Sequence, residues 1–341
     1  MGKRALVFGA SGQIGFEVAR SLVRSDWLVT GVTREGRSLP TDLISHGVTL
    51  ADGSNKSRSQ VIAETGKTFD AVIDPTAYDV PDALDLIAAQ ASAGAFVVVS
   101  SSSVYADQQG RSLDEASQHG FPELPVGIDE NTPTVPPGPK TYSTRKVAME
   151  HALGSAKRPV VILRPCAVYG RYARHLREWW FMRRILNGRT HVPLAYDAES
   201  VFHTTSTASI GALVESILRS PRSTIINVAD AEPPSVKAIG LAIAAALGSS
   251  LTIVGFEGAP RHEVGSSPWS VPRPYVLNTQ RMRDLGGTPT SYRETIKDTC
   301  DWALKAQALG DPDAIFPLSK MYGHDAFNYR AEDEVLAACH G

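Results

Sequence analysis

Cysteine is scarce: Cys166, Cys300 and Cys339 are the only three in 341 residues. They show neither a C-x-x-C pair nor any metal-ligand spacing, so the chain carries no disulfide framework and fits a reducing compartment. Net charge is nearly absent too, at −2. That argues against bulk electrostatic binding to nucleic acid, while leaving room for a local basic patch. No apolar run approaches the roughly eighteen residues of a membrane span. Met1-Gly2-Lys3-Arg4 leads straight into a short apolar run with no signal-peptide pattern. Internal repeats and low-complexity tracts are missing as well. What is present is ordinary: 43% hydrophobic and 21% charged residues, enough for one large or two joined domains. The expectation is a cytoplasmic enzyme or binding protein, with no nucleic-acid or membrane partner.

The chain opens with a strand, a glycine turn and a helix. Arg4 to Phe8 is a short apolar run that reads as a buried strand. Gly9-Ala10-Ser11-Gly12-Gln13-Ile14-Gly15 follows, and then Ile14, Val18, Ala19 and Leu22 recur at helical spacing. Glycines at such a junction let the backbone approach a pyrophosphate, and the helix N-terminus offers it free N–H groups. A second strand, Trp27 to Val32, ends at Thr33-Arg34. An acid at this point suits the ribose of NAD, whereas an arginine suits the extra phosphate of NADP. Arg34, with Arg37 behind it, favours NADP; Glu35, one place later, is the competing acid.

Further strands are expected at Val48 to Leu50, Asp70 to Asp74 and Ala95 to Val99, with a helix over Pro81 to Ala93. Strand–helix alternation about every thirty residues predicts an α/β, doubly wound parallel sheet. Ligands of such sheets lie beyond the carboxyl ends of the strands. Gly9 to Gly15, Arg34, Asp52, Pro75 to Ala77 and the serine run Ser100 to Ser103 all fall there. Asp107 to Pro139 is too long for a simple loop, which predicts short elements or a functional lid.

The helix after that insertion carries Tyr142-Ser143-Thr144-Arg145-Lys146. Four-residue spacing puts Tyr142 and Lys146 on one helix face. A phenol loses its proton near pH 10, and a neighbouring ammonium lowers that value, so the pair suits general acid/base work. Taken alone, it is equally an exposed helix face. The next strand, Val160 to Leu163, ends in Arg164-Pro165-Cys166-Ala167-Val168-Tyr169-Gly170.

In order, the glycine loop, the serine run leading to Val104-Tyr105, Tyr142 to Lys146, and Arg164-Pro165 before Val168-Tyr169-Gly170 resemble the extended short-chain dehydrogenase/reductase superfamily. This group includes nucleotide-sugar epimerases and dehydratases. The resemblance covers residues 3 to 305 and implies a Rossmann domain over 1–170. It implies a smaller C-terminal α/β substrate domain over 171–341, with some segments returning to the Rossmann sheet. It implies that Ser101, Tyr142 and Lys146 are catalytic: Tyr142 exchanges the proton, Lys146 holds the nicotinamide ribose, and Ser101 bonds the substrate oxygen, with Ser102 as the alternative register. Cofactor contacts implied are Gly9, Ser11, Gly12, Gln13, Ile14, Gly15, Arg34, Asp52, Gly53, Pro75, Thr76, Ala77, Lys146, Pro165, Cys166 and Val168. Ser102 and Ser103 stand where dehydratases carry an Asp-Glu pair, and are expected to face substrate. Asp74-Pro75-Thr76-Ala77 replaces the usual His-Leu-Ala-Ala, which alters a cofactor contact. A homodimer is an expectation from the resemblance alone.

The segment from Arg171 to Arg189 is rich in arginine with Leu176, Trp179, Trp180, Ile185 and Leu186 between. A charged helix face is the default; the sharper reading is a lid in which Arg171 and Arg177 meet an anionic or nucleotide-linked substrate. His203 reads as packed or hydrogen-bonded rather than as a catalytic base. Helices are expected at Thr207 to Arg219, Ser235 to Leu247, Thr279 to Leu285 and Ser291 to Ala306. Gly310 to Gly341 carries no functional expectation. The leading expectation is an NADP-dependent oxidoreductase, with NAD as the alternative cofactor. Its competitors are a nucleotide-sugar epimerase with tightly bound NAD and a non-enzymatic dinucleotide- or RNA-binding relative. No metal site is expected.

Overall fold

The computed structural model describes residues 2–34, 36–261 and 263–339. Its strands are β1 (Arg4–Phe8), β2 (Leu28–Thr33), β3 (Thr49–Asp52), β4 (Ala71–Asp74), β5 (Phe96–Val99) and β6 (Val160–Pro165). They continue as β7 (Ala167–Tyr169), β8 (His191–Leu194), β9 (Thr204–Ser206), β10 (Thr224–Val228) and β11 (Thr252–Gly255). Helices are α1 (Gln13–Arg24), α2 (Thr41–Ser45), α3 (Arg58–Glu64), α4 (Val80–Ala88), α5 (Ala116–His119), α6 (Tyr142–Leu153) and α7 (Trp179–Leu186). Then come α8 (Thr207–Ile217), α9 (Val236–Ala246), α10 (Gln280–Asp284), α11 (Tyr292–Gln307), α12 (Pro312–Ile315), α13 (Leu318–Tyr322) and α14 (Tyr329–Cys339).

The chain divides into two compact units. The first comprises Met1–Cys166, Thr207–Ala229 and Leu277–Pro289. It holds a seven-stranded sheet in the order β10-β6-β5-β4-β1-β2-β3, and every pairing is parallel. Such a sheet is covered on both faces, which is why Leu6, Val7, Val72, Ile73 and Phe96 to Val98 are all buried without alternation. β1 pairs with β2 on one side and β4 on the other, so the strand order reverses there and leaves a crevice at the carboxyl ends. Phe16, Ala19 and Leu22 form the buried stripe of α1. Gly211 of α8 lets that helix approach α1 closely, because a Cβ at this position would lie 3.2 Å from the Glu17 carbonyl oxygen.

The second unit comprises Ala167–Ser206, Asp230–Val276 and Thr290–Gly341. Two small parallel pairs, β7 with β9 and β8 with β11, sit in it. Trp179, Trp180, Phe181, Trp269, Tyr292 and Phe316 dominate its core. The aromatic-rich composition of the 176–186 stretch therefore serves packing first.

Several element ends differ from sequence expectation. The helix expected over 81–93 stops at Ala88 and continues as a 3-10 turn, Gln90–Ser92. The backbone must swing into β5 here, and Gly94 passes so close to Asp70 that a Cβ would lie 2.5 Å from its carbonyl oxygen. Within the arginine segment only Trp179–Leu186 is helical. The 107–140 insertion contains a 3-10 turn, Leu113–Glu115, followed directly by the short helix α5. Asp107 ties it down, accepting from the Gln109, Arg111 and Glu123 backbone N–H groups and from the Arg111 guanidinium. Burial pushes the Asp107 pKa up, but these donors outweigh it and hold the carboxyl at about 2.

Candidate active site

The glycine loop forms a tight cradle between β1 and α1. Gly9 has φ +63°, and a Cβ there would lie 2.5 Å from Thr76 Cγ2. At Gly15 a Cβ would lie 2.2 Å from the Gly9 carbonyl oxygen, so no side chain is tolerated at either position. Gly12 stands at the N-cap of α1 with no side-chain cap, which leaves first-turn N–H groups for a ligand. Ser11, Gln13 and Ile14 are half-buried in the same loop.

Arg34 is exposed at the end of β2. Its neighbour across the turn is Gly53, whose N–H donates to the Thr33 carbonyl and whose Cβ would lie 3.7 Å from Arg34 Cγ. Asp52 is exposed and folds back on its own loop, accepting from the Ser54 N–H and hydroxyl. Phe8, Gly9, Val32, Arg34, Gly53 and Arg58 line one small cavity here. Glu35, the competing acid, lies outside the described residues.

Asp74 explains the altered turn after β4. It is fully buried and pairs with Arg58 of α3. Its Oδ1 accepts from the Thr76 N–H at 2.7 Å, the Thr76 hydroxyl at 2.7 Å and the Ala77 N–H at 2.9 Å. The turn held in this way presents the Ala77 carbonyl to Lys146 Nζ at 2.6 Å. Val99, at the end of β5, accepts from the same ammonium at 2.9 Å. Burial lowers the Lys146 pKa to about 8, against the pull of the Asp74, Glu150 and Asp82 carboxylates.

Tyr142 is the first residue of α6. Thr141 caps that helix: its hydroxyl accepts the Thr144 N–H, and the Thr144 hydroxyl accepts the Thr141 N–H. The Tyr142 ring is 42% exposed, and Lys146 Nζ lies 5.8 Å from its centroid. The Tyr78 ring tilts against it at 5.7 Å. Ser101 caps the short turn Ser102–Val104, accepting the Ser103 N–H at 3.1 Å. Ser101 and Ser103 hydroxyls are 2.9 Å apart, while Ser102 is buried.

Two sequence landmarks turn out to be supports. Arg164 makes a two-point pair with Glu150 of α6, at 3.1 and 2.5 Å, and sits 5.0 Å from the Tyr105 ring. Tyr105 donates to Asn227 at 2.6 Å. The pair fastens α6 to the sheet and so fixes where Tyr142 and Lys146 stand. Pro165 ends β6 and Cys166 follows it, both buried in the first unit; Val168 is half-buried in β7 of the second.

The model of the NAD dependent epimerase/dehydratase family matches residues 5–202. The chain belongs to this family. No curated protein matches it. Among solved structures, a UDP-glucose 4-epimerase of Thermotoga maritima superposes with a TM-score of 0.65 at 16% identity, covering 90% of this chain and 100% of its own. The UDP-glucuronic acid 4-epimerase of Bacillus cereus gives 0.63 at 18%, covering 88% and 98%. A dTDP-glucose 4,6-dehydratase of Bacillus anthracis gives 0.65 at 17%, covering 91% and 99%. At these identities the likeness is one of fold.

The family name implies a dinucleotide, and the residues present fit one. At Gly9 and Gly15 a Cβ would collide with Thr76 and with the Gly9 carbonyl, so the loop backbone stays bare and tightly turned, and Gln13 Oε1 is a buried acceptor with no hydrogen-bond partner among the described residues. Arg58, Asp74 and Tyr78 lie at the candidate site, and sequence reasoning did not assign them. Asp74 was visible as a departure from the family pattern, but its partner Arg58 was not.

The arginine segment behaves differently. Arg183 pairs with Asp313, and Arg189 with Asp333. Arg184 is buried between Glu332, at 2.5 Å, and the Trp180 ring, 3.4 Å from its centroid. The C-terminal helices thus consume three of these charges. Arg177 lies near Tyr322, where its charge works against the rise that burial gives the phenol pKa, and Arg171 lies 5.5 Å from the Tyr172 ring centroid. His203 is buried, with Nε2 3.0 Å from the Asp230 carbonyl oxygen, and burial lowers its pKa to about 4. Among the described residues no helix is long and apolar enough to cross a membrane, and no side-chain group suits a metal ion.

Proposed function

We infer that the chain is an NADP-linked oxidoreductase acting on a carbonyl or hydroxyl carbon of a small molecule. The observation that carries this reading is the placing of the Lys146 ammonium 5.8 Å from the Tyr142 ring, on carbonyls supplied by the ends of β4 and β5. A cation there favours the phenolate and so eases proton exchange. Gly9 to Gly15, Asp52, Pro75 to Ala77, Pro165, Cys166 and Val168 would hold the cofactor, with Arg34 on the extra phosphate of NADP. When bound, its nicotinamide supplies or takes up the hydride. Ser101 donates a hydrogen bond to the substrate oxygen, and Tyr142 gives that oxygen a proton in reduction or takes it in oxidation. Being half exposed, Tyr142 regains its proton from solvent. The second unit serves as the substrate domain, with Arg171 and Arg177 on an anionic or nucleotide-linked group. The protein works as a cytoplasmic homodimer.

Tyr142→Phe is the deciding variant. NADPH consumption over a panel of carbonyl substrates should fall about 10²- to 10⁴-fold, while thermal stability holds. Unchanged turnover would remove Tyr142 from the chemistry. Arg34→Ala should weaken NADP binding about tenfold or more, as fits the loss of a charged hydrogen bond, and leave NAD binding alone. Equal losses for both cofactors would overturn the NADP preference.

One observation favours a second reading. The solved structures named above are nucleotide-sugar enzymes, and the Bacillus cereus structure holds NAD together with UDP-glucuronic acid. Epimerisation returns its hydride, so NAD would co-purify with the protein. Denaturing a fresh preparation and measuring released dinucleotide separates the two: stoichiometric NAD favours epimerase, and an empty protein that takes up NADPH favours reductase. RNA retention at physiological salt without turnover would favour the non-enzymatic alternative.

A further inference from the structure

Ser143 follows Tyr142 on α6 and is fully buried. Its hydroxyl donates to Ser103 Oγ at 2.9 Å. Ser103 Oγ in turn lies 2.9 Å from Ser101 Oγ. The backbone of Ser143 is held as well: its N–H donates to Asp114 Oδ2 at 2.7 Å, from the insertion between residues 107 and 140. Three hydroxyls from two elements therefore form one chain.

Each hydroxyl has one proton to give and two lone pairs to receive. The Ser143 proton is committed to Ser103. If Ser101 also donated to Ser103, the Ser103 oxygen would accept twice and its own proton would have no partner in the chain. The arrangement that uses every proton runs Ser143 to Ser103 to Ser101. Ser101 then accepts both the Ser103 hydroxyl and the Ser103 N–H, which fills its lone pairs. Its own proton is left pointing out of the chain. Hydrogen bonds in series also polarise one another, so the terminal O–H becomes the stronger donor.

The geometry points to Ser103 and Ser143 as positioning residues that make the Ser101 hydroxyl an obligate donor toward the substrate oxygen. Asp114 holds Ser143 in register, which gives the long insertion a role at the site. The direction of the chain stands on the ligand-free geometry; only the identity of the oxygen it serves rests on the oxidoreductase reading.

Neutron diffraction from the ligand-free, deuterated protein tests the direction. Deuterons on Ser143 Oγ aimed at Ser103, and on Ser103 Oγ aimed at Ser101, are expected; a Ser101 deuteron aimed at Ser103 overturns the proposal. Kinetics with NADPH and phenanthrenequinone as carbonyl probe test the consequence. Ser101→Ala should lower kcat about 10²-fold, as for loss of one oxyanion donor. Ser103→Ala and Ser143→Ala should each lower kcat about tenfold with KM and thermal midpoint nearly unchanged, and Ser103→Thr should restore it. Loss in Ser101→Ala beside full kcat in the other two alanine variants sinks the relay and spares the oxidoreductase reading. Deuterons as expected in a protein that never reduces the quinone support the relay's direction and count against that reading.

Discussion

In sequence, the cation near the strand ends of the first unit and the arginines of the 171–189 segment in the second unit are alike: charged residues among apolar ones on a helix. In the structure they have opposite fates. Lys146 is buried, donates to the Ala77 and Val99 backbone carbonyls and lies 5.8 Å from the Tyr142 ring centroid, with no carboxylate in direct ion-pair contact among the described residues. Arg183, Arg184 and Arg189 are each met by a carboxylate of the C-terminal helices. A cation is available to chemistry when the chain withholds a counter-ion from it, and structural when the chain supplies one.

The comparison breaks most readily at the buried pair. Glu332→Ala leaves the Arg184 charge buried and unpaired, which should cost about 3–5 kcal/mol and lower the thermal midpoint. Dinucleotide affinity of the first unit should hold. Arg184→Met with Glu332→Leu together should recover much of the loss. If Glu332→Ala is neutral, the C-terminal helices are not anchored as described.

Lys146 sharpens the other side through pH. Its folded pKa of about 8 lies below the ordinary 10.5. Between these values the unfolded chain binds more protons than the folded one, so stability rises with pH across that window. Below pH 8 the full cost of the buried charge is present, roughly 3 kcal/mol. Urea midpoints of the wild type relative to Lys146→Met should therefore climb from pH 8 to 10.5. A flat difference would mean that the carbonyl cage fully offsets burial. The smallest effect is expected at Asp313→Ala. Its pair with Arg183 is partly exposed, with side chains 26% and 56% accessible, and should contribute under about 1 kcal/mol. Equal losses at Asp313 and Glu332 would show that depth of burial does not separate the two pairs.

Much of the first unit was legible because its signals are local. Glycines at 9 and 15, the apolar runs of β1, β4 and β5, and the four-residue spacing of Tyr142 and Lys146 each need only a few neighbouring residues to be read. The family landmarks supplied order. Arg164 and Tyr105 were read as landmarks without a role; their work depends on Glu150 and Asn227, which lie 14 and 122 residues away on other elements. The pairing of Arg183, Arg184 and Arg189 was hidden for the same reason. Their counter-ions lie about 130 to 150 residues downstream, in a tail whose pattern suggested nothing.

By itself, then, the sequence determined the parallel sheet, the glycine turn between β1 and α1 and the placing of Tyr142 beside Lys146, because strand burial, glycine geometry and helix periodicity are short-range properties. Tertiary structure alone decided which charges stay uncompensated. It also decided that Asp74 and Arg58 shape the turn beneath Lys146, and that Ser143 joins Ser101 through Ser103. Those outcomes depend on which side chains meet across elements, and no local pattern encodes that meeting.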